Sequence, residues 1–352
     1  MTRSRGDELR DLYGARGVKP KEVFCRSLQR QPTPRPATGT VTSIVTMDLM
    51  EEVGEFFPEA HLDPEKMARL AAAGHELLGF DNVMPLFSVW HESSALGCEV
   101  DWGAPNLMPS CRNRPYRIGD RIDIPPDLLQ RPGCRVPLDA LRLLDRRLGQ
   151  DVAVTGKVFG PWTLGYHLFG VEDFLIATIT DPDEVKRAID RLKEVTVAFG
   201  NAQAEAGAVA LCLGDHATRD LCSPDAYRTF LLDVHRELVE RISVPLVLHI
   251  CGDTSDRIGM IASTGVACFH FDSKVPAAEA RRLAGDGLAL MGGTSNIEVI
   301  RDGTCETISA DVKEKIEAGI DIIGPECAVP LDAPSRNMKC LTSCVRASVQ
   351  GR

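Results

Sequence analysis

Val244-Pro-Leu-Val-Leu-His-Ile-Cys-Gly-Asp253 is an apolar run that ends in a histidine, a cysteine and an acid, and its recurrence along the chain decides the fold. Five other runs of the same kind follow residue 150: 151–159, 208–214, 266–272, 287–293 and 320–323. Amphipathic segments separate them. Asp181-Pro-Asp-Glu-Val opens one with Pro in the first turn, and Ser223-Pro-Asp-Ala-Tyr opens another that runs to Arg241. Segments at 276–283 and 309–317 follow, each before a glycine-containing turn. Apolar, β-branched runs alternating with helices predict a parallel sheet covered by helices. Two further candidate strands, 40–45 and 82–87, bring the count to about eight. The expected fold is therefore α/β, a single (β/α)8 TIM barrel. No GxGxxG follows a strand, which weighs against an open dinucleotide-binding sheet.

Residues 1–36 read as an N-terminal helical extension with a Pro-rich link at Gln31-Pro-Thr-Pro-Arg-Pro36, and 37–352 as the barrel domain. The stretch 101–138, rich in Pro and Arg, reads as an excursion over the barrel.

The barrel gives the polar residues a location. Active sites of this fold lie at the C-terminal ends of the strands. His249 and Cys251 end the fifth run and, two apart on a strand, point to the same side. Cys327 follows the eighth run. One histidine and two cysteines converging there form a three-ligand zinc site with its fourth position open, the pattern of catalytic zinc. Asp215 and His216 follow the fourth run, Asp272 ends the sixth and Asn296 follows the seventh. His216 or His270 is the candidate that would close the site into a purely structural one.

Composition excludes several classes. The 352 residues are 44% hydrophobic and 26% charged, the balance of a globular chain. A formal charge of −10 argues against nonspecific nucleic-acid binding, which needs Lys and Arg to neutralise phosphates. No apolar stretch is long enough to span a bilayer, and no signal peptide is legible, so a cytoplasmic enzyme is expected. The 12 cysteines then read as reduced thiols plus a few ligands. Homodimerisation is left as an open expectation.

Several stretches together resemble the uroporphyrinogen decarboxylase superfamily, and within it the corrinoid-dependent methyltransferases, such as the methylcobalamin:coenzyme M enzymes. They are Gly79-Phe-Asp-Asn-Val-Met-Pro85, Glu92-Ser-Ser-Ala-Leu-Gly-Cys-Glu-Val-Asp-Trp102, Gly160-Pro-Trp-Thr-Leu164, His249-Ile-Cys-Gly-Asp253 and Gly324-Pro-Glu-Cys-Ala-Val-Pro-Leu-Asp-Ala-Pro334 with Asn337. The resemblance implies a TIM barrel, zinc on His249, Cys251 and Cys327, and a corrinoid carried by a small partner protein. It also matches Asp81 to the decarboxylases' pyrrole-binding aspartate and offers Tyr166 as a displaced counterpart of their tyrosine. Two departures tell against decarboxylation. The decarboxylases' N-terminal Met-Arg-Gln-Ala-Gly-Arg motif has no counterpart, and Glu326-Cys327-Ala328 stands in place of their Gly-His-Gly.

The expected reaction moves a methyl group between the corrinoid and a thiol or another small-molecule acceptor or donor. A metal-free decarboxylase and an O-demethylating enzyme that delivers methyl to the corrinoid are the alternatives. Asp81, Glu92 and Asp272 are the candidate catalytic acids, and Asp215, Tyr166 and Asn296 the candidate substrate-binding residues; the four acids Asp81, Glu92, Asp215 and Asp272 are expected to line the wall of the barrel mouth.

Overall fold

The computed structural model describes residues 18–348. Eight parallel strands form the barrel: β1 (Ala37–Thr38), β2 (Asn82–Val83), β5 (Ala153–Phe159), β6 (Ala210–Gly214), β7 (Leu246–His249), β8 (Cys268–Phe271), β9 (Ala289–Gly292) and β10 (Ile322–Ile323). The remaining two strands, β3 (Val100–Asp101) and β4 (Ser110–Cys111), make a small antiparallel hairpin in the excursion. Pairing runs β1-β10-β9-β8-β7-β6-β5-β2, with helices between successive strands. The arrangement is the expected TIM barrel.

The seam between β1 and β2 closes through two polar residues. Asp81 N–H donates to the Thr38 carbonyl at 2.8 Å, Asn82 Nδ2 donates to the Thr40 carbonyl at 2.7 Å, and Thr40 N–H donates back to Asn82 Oδ1 at 3.1 Å. This explains why 40–45, expected as a strand, is none: β1 ends at Thr38. Thr42 N–H bonds the Thr40 hydroxyl and Val45 N–H bonds the Ser43 hydroxyl, so side chains capture the donors a ladder would use. β2 likewise stops before Pro85, which has no N–H to give. The helix expected from Ser223 to Arg241 is two, Pro224–Phe230 and Leu232–Arg241.

The helix Pro20–Leu28 plugs the N-terminal end of the barrel. Its Val23, Phe24 and Leu28 join Ala37, Ala153, Ala210, Cys212, Val247, Cys268, Ala289, Met291 and Ile322 in one buried cluster. Small inward residues leave room for that plug; burying Phe24 there stabilises by about 2–3 kcal/mol. A larger shell of buried Leu, Ile, Val and Phe lies between the strands and their helices.

One expectation about the cysteines is corrected. Cys305 and Cys340 are joined by a disulfide that ties the helix Cys305–Glu317 to the helix Ser335–Ala347. Among the described residues no helix is long and apolar enough to cross a membrane.

Candidate metal centre

His249, Cys251 and Cys327 meet at the C-terminal mouth. One donor atom from each lies within 4.8 Å of the others, and no other such group of three exists among the described residues. Cys251 Sγ is 3.2 Å from His249 Nε2 and 3.3 Å from Cys327 Sγ. His249 Nδ1 lies 3.2 Å from the His270 carbonyl. The carbonyl can only accept, so Nδ1 carries the proton and Nε2 presents its lone pair to the two sulfurs. Cys251 and Cys327 share a proton: the hydrogen bond between them pulls the Cys327 thiol well below its ordinary range and pushes Cys251 up. Two soft sulfurs and one neutral imidazole fit zinc.

The turn behind the centre is built for close approach. Gly252 adopts φ 81°, and a Cβ there would stand 2.6 Å from Thr218 Oγ1, so glycine is required. Its N–H donates to Asp272 Oδ2 at 2.8 Å, and Asp272 Oδ1 accepts from Lys274 N–H. Glu326 stitches two neighbouring loops to the one that carries Cys327. Its Oε2 accepts from Ser273 N–H at 2.9 Å and its Oε1 from Asn296 N–H at 2.8 Å. Asn296 opens a π-type turn (Asn296–Arg301) and donates from Nδ2 to the Ala328 carbonyl at 2.8 Å. Asp272 and Asn296 thus hold the loops that carry Cys251 and Cys327 by backbone contacts.

His270, a candidate fourth ligand, bonds the Pro325 carbonyl through Nε2 at 2.8 Å, and burial pushes its pKa down to about 3. Its ring lies tilted beside that of His249, centroids 4.5 Å apart, outside the trio. His216 also stays outside it; burial lowers its pKa, and its ring meets Phe159 edge-on.

The other expected mouth residues go elsewhere. Asp81 precedes β2 at the N-terminal end of the barrel, fully buried, so its expected place at the mouth is corrected. Arg35 holds it from both guanidinium nitrogens at 2.6 and 2.7 Å, and Thr38 N–H adds a bond at 2.7 Å. With both oxygens filled it is positioned to close the β1–β2 seam. Asp215 is equally enclosed. Its Oδ1 accepts from Thr163 N–H at 2.8 Å, near the start of the helix Pro161–Phe169, and its Oδ2 meets His235 Nε2 at 3.1 Å. His235 Nδ1 in turn bonds the Tyr227 hydroxyl. Gly160 permits this, since a Cβ would stand 2.3 Å from the Asp215 carboxylate. Asp215 therefore caps a helix behind the mouth instead of lining its wall. Tyr166 packs edge-on against Trp162 and Phe174 and accepts the Trp162 indole N–H, in an aromatic cluster behind the same helix.

Glu92 is intermediate. It is buried, and Oε1 accepts from Phe159 N–H at the mouth end of β5 at 2.8 Å, while Oε2 has no hydrogen-bond partner. Burial pushes its carboxyl up to about 7. Two features escaped the sequence reading. Lys157, on β5, is buried beside the charges of Cys212, Glu92 and Cys327; a lone lysine inside the apolar run 151–159 was the available signal. His61 and His91, both buried, leave all four ring nitrogens without a hydrogen-bond partner among the described residues, against Trp102; nothing in their local sequence marks them.

Residues 19–348 match the family model for uroporphyrinogen decarboxylase (URO-D). The chain is 33% identical over 326 residues to the methylcobamide:CoM methyltransferase MtaA of Methanosarcina barkeri, covering 92% of this chain and 96% of that one. It is 34% identical over 295 residues to the methylated-thiol–coenzyme M methyltransferase of Methanosarcina mazei, covering 84% and 80%. The solved structure of a methyltransferase from Methanosarcina mazei superposes with a TM-score of 0.91 at 31% identity, over 94% of this chain and 99% of that one. By family model, sequence and barrel alike, the chain belongs to the uroporphyrinogen decarboxylase (URO-D) family, on its methyltransferase branch.

Proposed function

We propose that this protein is a zinc-dependent methyltransferase that moves a methyl group from a corrinoid, carried by a partner protein, to a small thiol. The observation that carries the reading is the His249–Cys251–Cys327 trio at the barrel mouth, a group that takes in no fourth His, Cys, Asp or Glu among the described residues. A closed structural site would have four. The kinship with methylcobamide:CoM and methylated-thiol–coenzyme M methyltransferases supports the choice of corrinoid and thiol.

A free thiol, with a pKa of about 8.5, is mostly protonated at neutral pH. Zinc held by the trio would supply the Lewis acidity that keeps a substrate thiol ionised there. The protein's own residues do the rest. The His270 carbonyl fixes the tautomer and plane of His249. Asp272 fixes the Cys251–Gly252 turn, and Glu326 with Asn296 fixes the Cys327 loop, so the donors converge without reorganisation. Glu92, with a free Oε2 and a pKa near neutrality, fits the acceptor of the proton that the thiol sheds. In the overall reaction the sulfur gains the methyl group, and the carbon–cobalt bond breaks with its electron pair left on the corrinoid.

Metal analysis of protein purified without chelator, joined to a methylcobalamin demethylation assay with simple thiols, tests this. One zinc per chain and thiol-dependent demethylation are expected. Metal-free protein that decarboxylates uroporphyrinogen and leaves methylcobalamin untouched would overturn the reading.

A further inference from the structure

Three further sulfurs meet between two helices of the chain's last quarter. Cys305, the first residue of the helix Cys305–Glu317, is bonded to Cys340 of the helix Ser335–Ala347. Cys344 lies one turn further along the second helix, on the same face as Cys340. Its free thiol stands 4.0 Å from Cys340 Sγ. Cys305 is exposed and Cys344 half-buried. A groove of about 410 Å³ between the two helices, lined by Cys344, Ser309, Val312 and Ile316, opens that thiol to solvent.

A thiolate beside a disulfide attacks one of its sulfurs and expels the other. Cys344, its proton given up to water, attacks Cys340 Sγ. The Cys340–Cys344 bond forms, the Cys305–Cys340 bond breaks, and its electron pair leaves on Cys305. Nothing is oxidised or reduced overall. Cys305 is a good leaving group because it sits at the positive end of a 13-residue helix, which favours its thiolate. Cα atoms four apart on a helix are about 6 Å apart, within the reach of a disulfide, although the Cβ atoms must draw closer. The new bond is therefore the minor isomer, and the exchange runs forward when something consumes the Cys305 thiolate. Asn337 holds the two helices together meanwhile. Its Nδ2 donates to the Ile300 carbonyl at 3.0 Å and, at 2.9 Å, to that of Gly303, two residues before Cys305.

We propose that Cys305 is a thiolation site, which takes a small-thiol cap from a low-molecular-weight disulfide, and that Cys344 opens it by exchange at Cys340. The freed Cys305 thiolate attacks the small disulfide. A mixed disulfide forms on Cys305, and the other half of the reagent leaves as its thiolate with the electron pair of the broken bond. The protein then carries two disulfides where it had one, and the small disulfide has been the oxidant. The site is independent of the His249–Cys251–Cys327 trio and of the methyl-transfer reading.

The test incubates the full chain, isolated without reductant, with oxidised glutathione. Remaining thiols are blocked with N-ethylmaleimide, and the protein is digested with trypsin, again without reductant, for mass spectrometry. Cys340 and Cys344 fall on one fragment, 340–346, and Cys305 on another, 302–313, so the two disulfide isomers separate by mass. The expected products are fragment 302–313 carrying glutathione and fragment 340–346 closed by its own disulfide. Cys344→Ser should cut the capping of Cys305 at least about tenfold, since no thiol then stands beside the bond. The wild-type map decides the matter even if that variant folds poorly. Fragments 302–313 and 340–346 still cross-linked after long incubation, with glutathione or maleimide on Cys344, would overturn the proposal. So would three maleimide-labelled thiols with no cross-link at the outset, or capping of Cys305 in Cys344→Ser at the wild-type rate.

Discussion

Asp81 and Glu92 are buried carboxyls at opposite ends of one barrel, and their surroundings differ in kind. At the N-terminal end both Asp81 oxygens are filled by Arg35 and Thr38, beside a plug of Val23, Phe24 and Leu28. At the C-terminal end, among the described residues, Glu92 leaves Oε2 without a hydrogen-bond partner and three metal-type donors crowd together. The same strands thus satisfy their polar groups at one end and leave them under-paired at the other. A fully paired group stabilises and is inert; an under-paired one destabilises and is available to a ligand.

Removing a mouth donor should therefore abolish chemistry without loosening the barrel. Cys251→Ala is expected to lose bound zinc and methyl transfer below detection, with an unfolding midpoint close to that of the wild type. A variant that unfolds early would mean the trio holds the fold together and would erase the contrast.

The converse holds at the base. Asp81→Ala strands the largely buried Arg35 guanidinium and opens the β1–β2 seam, at a cost of about 3–5 kcal/mol, read as a lower urea midpoint. Its metal content should match the wild type. Zinc lost in proportion to Asp81 would place that carboxylate in the site after all.

Glu92 gives the comparison a pH signature. Its carboxyl is raised from 4.5 to about 7 in the folded chain. Between those values the unfolded chain sheds the proton while the folded chain keeps it, so stability falls as pH rises through the window and levels off above it. Glu92→Gln, which can still accept from Phe159 N–H, removes the dependence. It should gain about 3 kcal/mol above pH 7 and nothing below pH ~4. Denaturant midpoints across pH 4–8 check it; parallel curves for both proteins would show that Glu92 is not the strained acid inferred here.

Much of this was legible in the sequence because it depends on period and position. Alternating apolar runs placed six strands after residue 150, and the two-residue spacing of His249 and Cys251 set them on one face. What stayed hidden depends on which end of a strand a residue occupies. Asp81 sits immediately before β2, and the run 82–87 reads alike whether the acid faces base or mouth; only the β1–β2 pairing decides it. Asp215 follows β6 at the correct end, yet its carboxylate turns back to cap a neighbouring helix because Gly160 leaves the space. Lys157 was passed over because a charged residue inside an apolar run reads as an interruption, not as part of a lumen.

The smallest expected effect lies where the contrast is least sharp. Asp272 is at the mouth, yet both its oxygens accept backbone N–H groups, from Gly252 and Lys274. By pairing it resembles Asp81; by position it belongs with the His249–Cys251–Cys327 trio. Its oxygens hold the turn that follows Cys251, so on the proposed reading it would act on zinc through the placement of that sulfur. Asp272→Asn keeps the shape but turns one acceptor into a donor that faces an N–H. Zinc affinity should fall about 10- to 100-fold, as for other residues that orient metal ligands, while the fold holds. Competition with a chromophoric chelator measures this directly. An affinity equal to that of the wild type would show that the Cys251–Gly252 turn is held by Gly252's own backbone preference, and that pairing, not position, decides what a buried acid does in this barrel.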